Sequence, residues 1–317
     1  MRLDPNGRKH LASAGCFFFC SGAKERTRGV GALKFRAIYG VDFSGARLAG
    51  RNTWVARIER RRRGSECESR WRLAELARLE DLCGTAERGR ALGFLVGLIE
   101  ESEGALWSLD FPFGLPVELM GGRWAKQFEF LSEWGEDGYG AGLECVRRSK
   151  LLRGVKHIRR LTDIEERAPF DPYHYRIIYQ TFHGMRDVLA PLMRRRHAHT
   201  AILPFQYRRL RDARRVVVEA CPASTLKRMN LPHQNYKQPE GGPLTPKRRR
   251  TRRAILEGLA RHVCIGERDR RRIMRNGGGD ALDAVLAAVG AARSWRTSDH
   301  DAIARHERYP REGRLFV

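Results

Sequence analysis

Apolar residues fall along this chain in short runs, several of which end on an acid. Phe35 to Gly45 reads FRAIYGVDFSG: Ala37, Ile38, Tyr39 and Val41 make a short buried strand that stops at Asp42 and turns through Phe43, Ser44 and Gly45. Asn52 to Glu59, NTWVARIE, alternates like a half-buried strand; a polar basic turn follows from Arg60 to Ser65, and a third strand is expected at about Cys67 to Leu73. Within Thr85 to Glu101 the apolar residues Ala91, Leu92, Leu95, Leu98 and Ile99 recur at helical spacing. Ala105 to Leu109 is a fourth strand, ending on Asp110 and broken by Pro112 and Pro116.

From about 115 to 214 the pattern loosens, with a basic patch from Arg147 to Arg160 and a helix expected over Ile177 to Met193. A long connection inside a compact fold is more often functional than idle, so this span reads as a largely helical cap or substrate-binding insertion between strands 4 and 5. Arg215 to Ala220 returns to a buried strand, VVVEA, with Glu219 at its end. A basic helix is expected over Pro246 to Cys264, and an Ala-rich helix, apolar on most sides, over Asp280 to Arg293. The expected fold is α/β: a mixed five-stranded sheet flanked by helices, occupying residues 35–300 and preceded by an extension over 1–34. Residues 301–317 read as a C-terminal tail.

Charge changes the picture. With 61 Lys and Arg against 37 Asp and Glu the formal net charge is +24, clustered rather than even, which favours a polyanion as partner, nucleic acid (DNA or RNA) above all. Seven cysteines without regular spacing do not form a disulfide framework and point to a reducing, cytoplasmic setting. No apolar run approaches the roughly 18 residues of a membrane span, so no membrane partner is expected. Leu11 to Ala23, LASAGCFFFCSGA, is apolar, but Asp4, Asn6 and His10 stand where a signal peptide needs its apolar core.

The candidate chemistry rests on carboxylates. Asp280 and Asp283 lie three apart on the last helix, so both project from one side of it. Together with Asp42, Asp110 and Glu219 they form a set that is costly to gather unless a cation neutralises it, and oxygen-only ligands favour Mg²⁺ or Mn²⁺. Such ions activate water and stabilise the leaving oxygen in phosphodiester hydrolysis. Each acid also has a structural reading. Asp280 after three glycines is a good N-cap, Asp283 suits the helix dipole, Glu219 can pair with an arginine and Asp110 can organise a turn. Tyr236 and Lys237 are candidates for stacking on a base or contacting a phosphate. Lys247, Arg248, Arg249 and Arg250, with Arg252 and Arg253, offer a phosphate-binding helix start or a merely solvated face. No P-loop or zinc pattern is present.

Five motifs in order, GVDFSGA (Gly40 to Ala46), DFPFGLP (Asp110 to Pro116), EACPAS (Glu219 to Ser224), LPHQNYK (Leu231 to Lys237) and GGDALDAVLAA (Gly278 to Ala288), resemble the DUF429 family. The resemblance spans about Ala37 to Trp295. That family is grouped with ribonuclease H-like folds and described as predicted nucleases. The resemblance implies metal ligation by Asp42, Asp110, Asp280 and Asp283, with Glu219 as an auxiliary ligand or orienting group. It also departs from the pattern: Cys221-Pro222-Ala223 stands where relatives carry His-Pro-Glu, so a second acid after Glu219 is missing. Three readings follow: a metal-dependent nuclease, a phosphotransferase or ATPase of the related actin-like fold, and a catalytically silent nucleic-acid binder.

Overall fold

The computed structural model describes residues 33–61, 71–194, 199–239 and 241–317 of the 317-residue chain. The extension over 1–34 and the basic turn after Arg60 therefore lie mostly outside the described residues. Seven strands form one mixed sheet: β1 (Ala37–Asp42), β2 (Trp54–Arg60), β3 (Trp71–Arg78), β4 (Ala105–Leu109), β5 (Thr200–Ile202), β6 (Arg215–Glu219) and β7 (Val263–Cys264), in spatial order β5-β6-β4-β1-β2-β3-β7. β1, β2 and β3 run antiparallel, while β4, β6 and β5 extend the other side of β1 in parallel.

The five expected strands are all present, and the sheet exceeds them by two. β5 and β7 are edge strands of three and two residues, too short to carry an alternation. β5 closes the insertion, which is otherwise mainly helical; β7 replaces the last turn of the expected basic helix, which ends at Leu259. The third strand runs over Trp71–Arg78, while the first four residues of its expected span, 67–70, lie outside the described residues. The helix expected over Ile177 to Met193 is a continuous helical run, Ile178–His183, Gly184–Leu189 and Ala190–Arg194, whose middle piece is wound as a π-helix.

Alternation along β1 builds a two-faced core. Ile38 faces one cluster with Leu106, Val216 and Val218; Val41 faces the other with Trp107, Leu109 and Val217. The first face is covered by the last long helix, α8 (Asp280–Thr297), through Ala284, Val285, Ala288 and Val289. The second is covered by α1 (Arg88–Glu101) and by Phe182, Val188 and Leu189 of the insertion. β1 and α8 approach so closely that a Cβ on Gly40 would lie 2.0 Å from the Ala284 carbonyl oxygen. That contact fixes where α8 begins relative to the end of β1. Residues 301–317 pack onto the domain: Leu315 bridges to Glu219, the Phe316 N–H donates to the Glu219 carbonyl at 2.9 Å, and the Phe316 ring is buried.

Candidate functional site: a carboxylate cavity at the strand ends

Asp42 is the last residue of β1 and Asp110 the first beyond β4. The register Val41↔Leu109 places the two acids side by side at the carboxyl ends of neighbouring parallel strands, and the Asp110 N–H donates to the Val41 carbonyl at 2.9 Å. Residues paired across strands share a face, so both carboxylates leave the sheet on the α8 side. Glu219 pairs instead with Leu109 and so starts from the opposite face, yet it still lines the same cavity as Asp42 and Asp110.

The third carboxylate comes from α8. Gly279 takes φ +92° at its N-cap, a conformation that suits glycine, and the Asp283 N–H donates to the Gly279 carbonyl at 2.9 Å. Asp283 then lies buried in the first turn beside the end of β1, where the Gly40 contact holds the helix. Asp42, Asp110 and Asp283 line one cavity of ≈ 560 Å³. Asp280 does not line it; half-buried, it accepts from the Asn276 side chain at 3.4 Å. The helix thus presents one of its two acids to the cavity.

Burial and like charge act together here. Burial raises the Asp42 carboxyl well above the carboxylate range; Lys237 opposes the shift, while Asp283, Asp280 and Asp110 add to it. Asp110 is pushed up to about 8, by burial first and then by Asp283, with Lys237 opposing and Glu219 adding. Asp283 is raised less freely. Burial lifts it, whereas the Lys237 ammonium and the Tyr236 hydroxyl hold it down.

Tyr236 and Lys237 therefore belong to the site, on Asp283. The Tyr236 hydroxyl donates to Asp283 Oδ1 at 2.9 Å, and the Lys237 ammonium meets Oδ2. The Lys237 side chain is 44% exposed, whereas the carboxylate it meets is 2% exposed, so its stem reaches from solvent to a buried partner. Burial disfavours its charge, but Asp283, Tyr236 and Asp42 outweigh that and keep the lysine protonated.

The loop carrying these residues is clamped by Arg252, buried on α6 (Pro246–Leu259), which donates to the carbonyls of Tyr236, Ile273, Asn276 and Gly277. One guanidinium thus ties the Tyr236–Lys237 loop to the turn before α8. Arg252 was expected among the phosphate-facing cations. Its signal lay in its position, three and four residues before the buried Ile255 and Leu256. Of the other cations on that helix, Arg248 lines the cavity and donates to Gln238 at 2.9 Å, while Lys247, Arg249 and Arg250 are exposed at the helix start.

Of the two roles expected for Glu219, auxiliary ligand or orienting group, its contacts suit the second. Buried Arg160 donates to its Oε1 at 2.5 Å and to its Oε2 at 2.9 Å, and the Phe113 N–H reaches Oε2 at 3.1 Å. Arg160 also binds both oxygens of Asp163, at 2.8 and 3.0 Å. A carboxylate so fully engaged anchors the loop after Asp110. Arg160 itself passed in the sequence for part of a surface basic patch.

Among the described residues no three of His, Cys, Asp and Glu stand together as a ready-made metal cage. The donor chemistry nevertheless fits a hard cation: Asp42 and Asp110 adjoin in a buried cavity where Lys237 opposes but does not cancel the rise in their pKa, and Mg²⁺ commonly takes one or two carboxylates, completing its shell with water and substrate.

Residues 194–305 match the model of a family described as "Protein of unknown function (DUF429)". The matched stretch holds Glu219, Tyr236, Lys237, Asp280 and Asp283 and stops short of Asp42 and Asp110. No curated protein and no solved structure matches the chain.

Proposed function

We propose that this chain, a DUF429 family member over residues 194–305, is a ribonuclease H-like hydrolase that cuts phosphodiester bonds of nucleic acid with Mg²⁺ or Mn²⁺. The observation that carries the reading is the meeting of Asp42, Asp110 and Asp283, from three separate segments, in one cavity rimmed by cations. The fold supports it. Three antiparallel strands, a helix, a fourth strand parallel to the first and an insertion before the next long strand follow the order expected of that superfamily.

Asp42 and Asp110 would hold the cation, with Asp283 as a third ligand and Asp280 outside the first sphere. A bound ion supplies an activated water and charge stabilisation at the leaving oxygen. The protein's own part is positioning. Arg248 and Arg176 line the cavity and attract the phosphate backbone, and the exposed Lys247, Arg249 and Arg250 extend that attraction along α6. Lys237 stands where incoming phosphate can draw it off Asp283, exchanging one anionic partner for another. Free thiols at Cys83, Cys145 and Cys221 support a reducing, cytoplasmic setting, and among the described residues no helix is long and apolar enough to cross a membrane.

The test is cleavage of end-labelled DNA and RNA, as single strands, duplexes and branched forms, with Mg²⁺, Mn²⁺ or EDTA. Cutting that needs metal and disappears in Asp42→Asn supports the reading. Binding without cutting under any metal supports the silent binder.

A further inference from the structure

Beside the carboxylates, the insertion presents an aromatic surface that the metal chemistry leaves unused. Phe170, Arg176 and Ile177 line the same cavity as Asp42 and Asp110. From Phe170 the rings continue outward: His174 stacks on Phe170 at 4.5 Å with 27° between planes, and Tyr175 follows His174 at 4.5 Å and 32°. The Arg176 guanidinium lies 5.7 Å from the ring centres of both Phe170 and Tyr175, and its Nε donates to the Tyr175 hydroxyl at 3.1 Å. Tyr175 is 62% exposed.

This surface is held rigidly from beneath. Asp171, 4% exposed, accepts from the Tyr173 N–H at 3.3 Å and pairs with His157 at 3.0 Å; the Thr181 hydroxyl donates to the Pro172 carbonyl at 2.6 Å. His174 Nδ1 accepts from the Arg176 N–H at 3.3 Å, and burial lowers the pKa of this histidine, which favours the neutral ring. Rigid aromatic rings with an arginine at their edge are what unpaired bases stack on, and such stacking tolerates any sequence because every base has a π-face. The cavity, at ≈ 560 Å³, falls in the range of roughly 300–1,000 Å³ that encloses one small-molecule-sized group. That volume is sufficient for an unpaired nucleotide.

We propose that the Phe170–Arg176 segment is a stacking shelf for an unpaired base, which makes single-stranded nucleic acid the ligand of this site. The inference rests on the proposed function in taking nucleic acid as the ligand, and adds which form is taken. A base on the exposed ring of Tyr175 sets its neighbouring phosphate near Arg176, which lines the carboxylate cavity.

Fluorescence anisotropy in EDTA tests this apart from cleavage, using the full chain and labelled 12-residue DNA and RNA single strands with blunt duplexes of the same sequence. Wild type is expected to bind a single strand at least tenfold more tightly than its duplex. Tyr175→Ala, at an exposed position, should weaken single-strand binding about fivefold to a hundredfold and leave duplex binding unchanged, with Tyr175→Phe restoring it. The DNA and RNA arms identify the sugar. Equal or tighter duplex binding, or indifference to Tyr175→Ala, overturns the shelf while leaving a nucleic-acid hydrolase standing. Absence of binding to every strand overturns both.

Discussion

Lys237 and Asp283 are bound to each other at the edge of the carboxylate cavity, with the Tyr236 hydroxyl on the second oxygen of the same aspartate at 2.9 Å. The lysine serves as an internal cation among acids that burial and mutual repulsion push towards their neutral forms. Lys237→Met removes that charge and leaves Asp283 with only the Tyr236 hydroxyl. Because the Lys237 side chain is 44% exposed, solvent screening limits the cost to about 1–2 kcal/mol. The expected outcome is a lower melting temperature in EDTA and a larger upward shift on adding Mn²⁺ than wild type shows, since the ion then restores what the lysine supplied.

Glu219 is expected to matter for stability and not for metal. Glu219→Gln leaves Arg160 with Asp163 alone in a buried network and should cost about 3 kcal/mol, read by denaturant unfolding. Calorimetric titration with Mn²⁺ should show affinity within about threefold of wild type. Asp110→Asn should do the reverse, losing most Mn²⁺ affinity while folding at least as well as wild type.

The pH dependence has a definite sign. In the folded chain Asp110 has a pKa of about 8, above its ordinary 3.8, so between those values the native state holds a proton that the unfolded chain releases. Stability from this group is complete below about pH 4 and is lost progressively as pH rises to about 8; Asp42 and Asp283, also raised, share the titration. Thermal melts in EDTA should therefore show Asp110→Asn gaining on wild type as pH rises from 5 to 8. Mn²⁺ affinity of wild type should rise over the same interval, because the ion displaces protons.

Gly40 tests the geometry that brings α8 to β1. A Cβ there would lie 2.0 Å from the Ala284 carbonyl oxygen and 2.4 Å from the Ala288 nitrogen, both of them backbone atoms that move only with the helix. Gly40→Val should destabilise the fold by about 3 kcal/mol or more. Gly40→Ala, if it folds, should weaken Mn²⁺ binding by separating Asp283 from Asp42, whereas an exposed control such as Gly93→Ala should leave binding unchanged.

The strands that carry the acids were legible because their apolar runs are long enough to show a period: Ala37 to Val41, Ala105 to Leu109 and Arg215 to Glu219 lie where the pattern puts them. β5 and β7 were not, since pairing with a neighbour, and no local pattern, makes them strands. The convergence of Asp42, Asp110 and Asp283 followed from acids at segment ends. The engagement of Glu219 by Arg160 did not, because it depends on a one-residue offset in register between β4 and β6 and on a partner 59 residues away in sequence. Arg160 and Arg252 were hidden by their neighbours, for a buried arginine inside a basic run looks like solvated charge until its carboxylate or carbonyl partners, distant in sequence, are brought to it.

As proposed, Asp42 and Asp110 would hold the cation that supports phosphodiester cleavage. The most direct test is a time course of cleavage of a labelled single strand in Mn²⁺, with EDTA as control, run on wild type, Asp42→Asn, Asp110→Asn and Glu219→Gln under conditions where all four are folded by circular dichroism. Wild type is expected to cut in a metal-dependent manner, each aspartate variant to lose about a hundredfold or more, on the order of what a group stabilising developing charge contributes, and Glu219→Gln to cut near normally. Cutting that survives in Asp42→Asn and Asp110→Asn, or that persists in EDTA, would contradict the proposal.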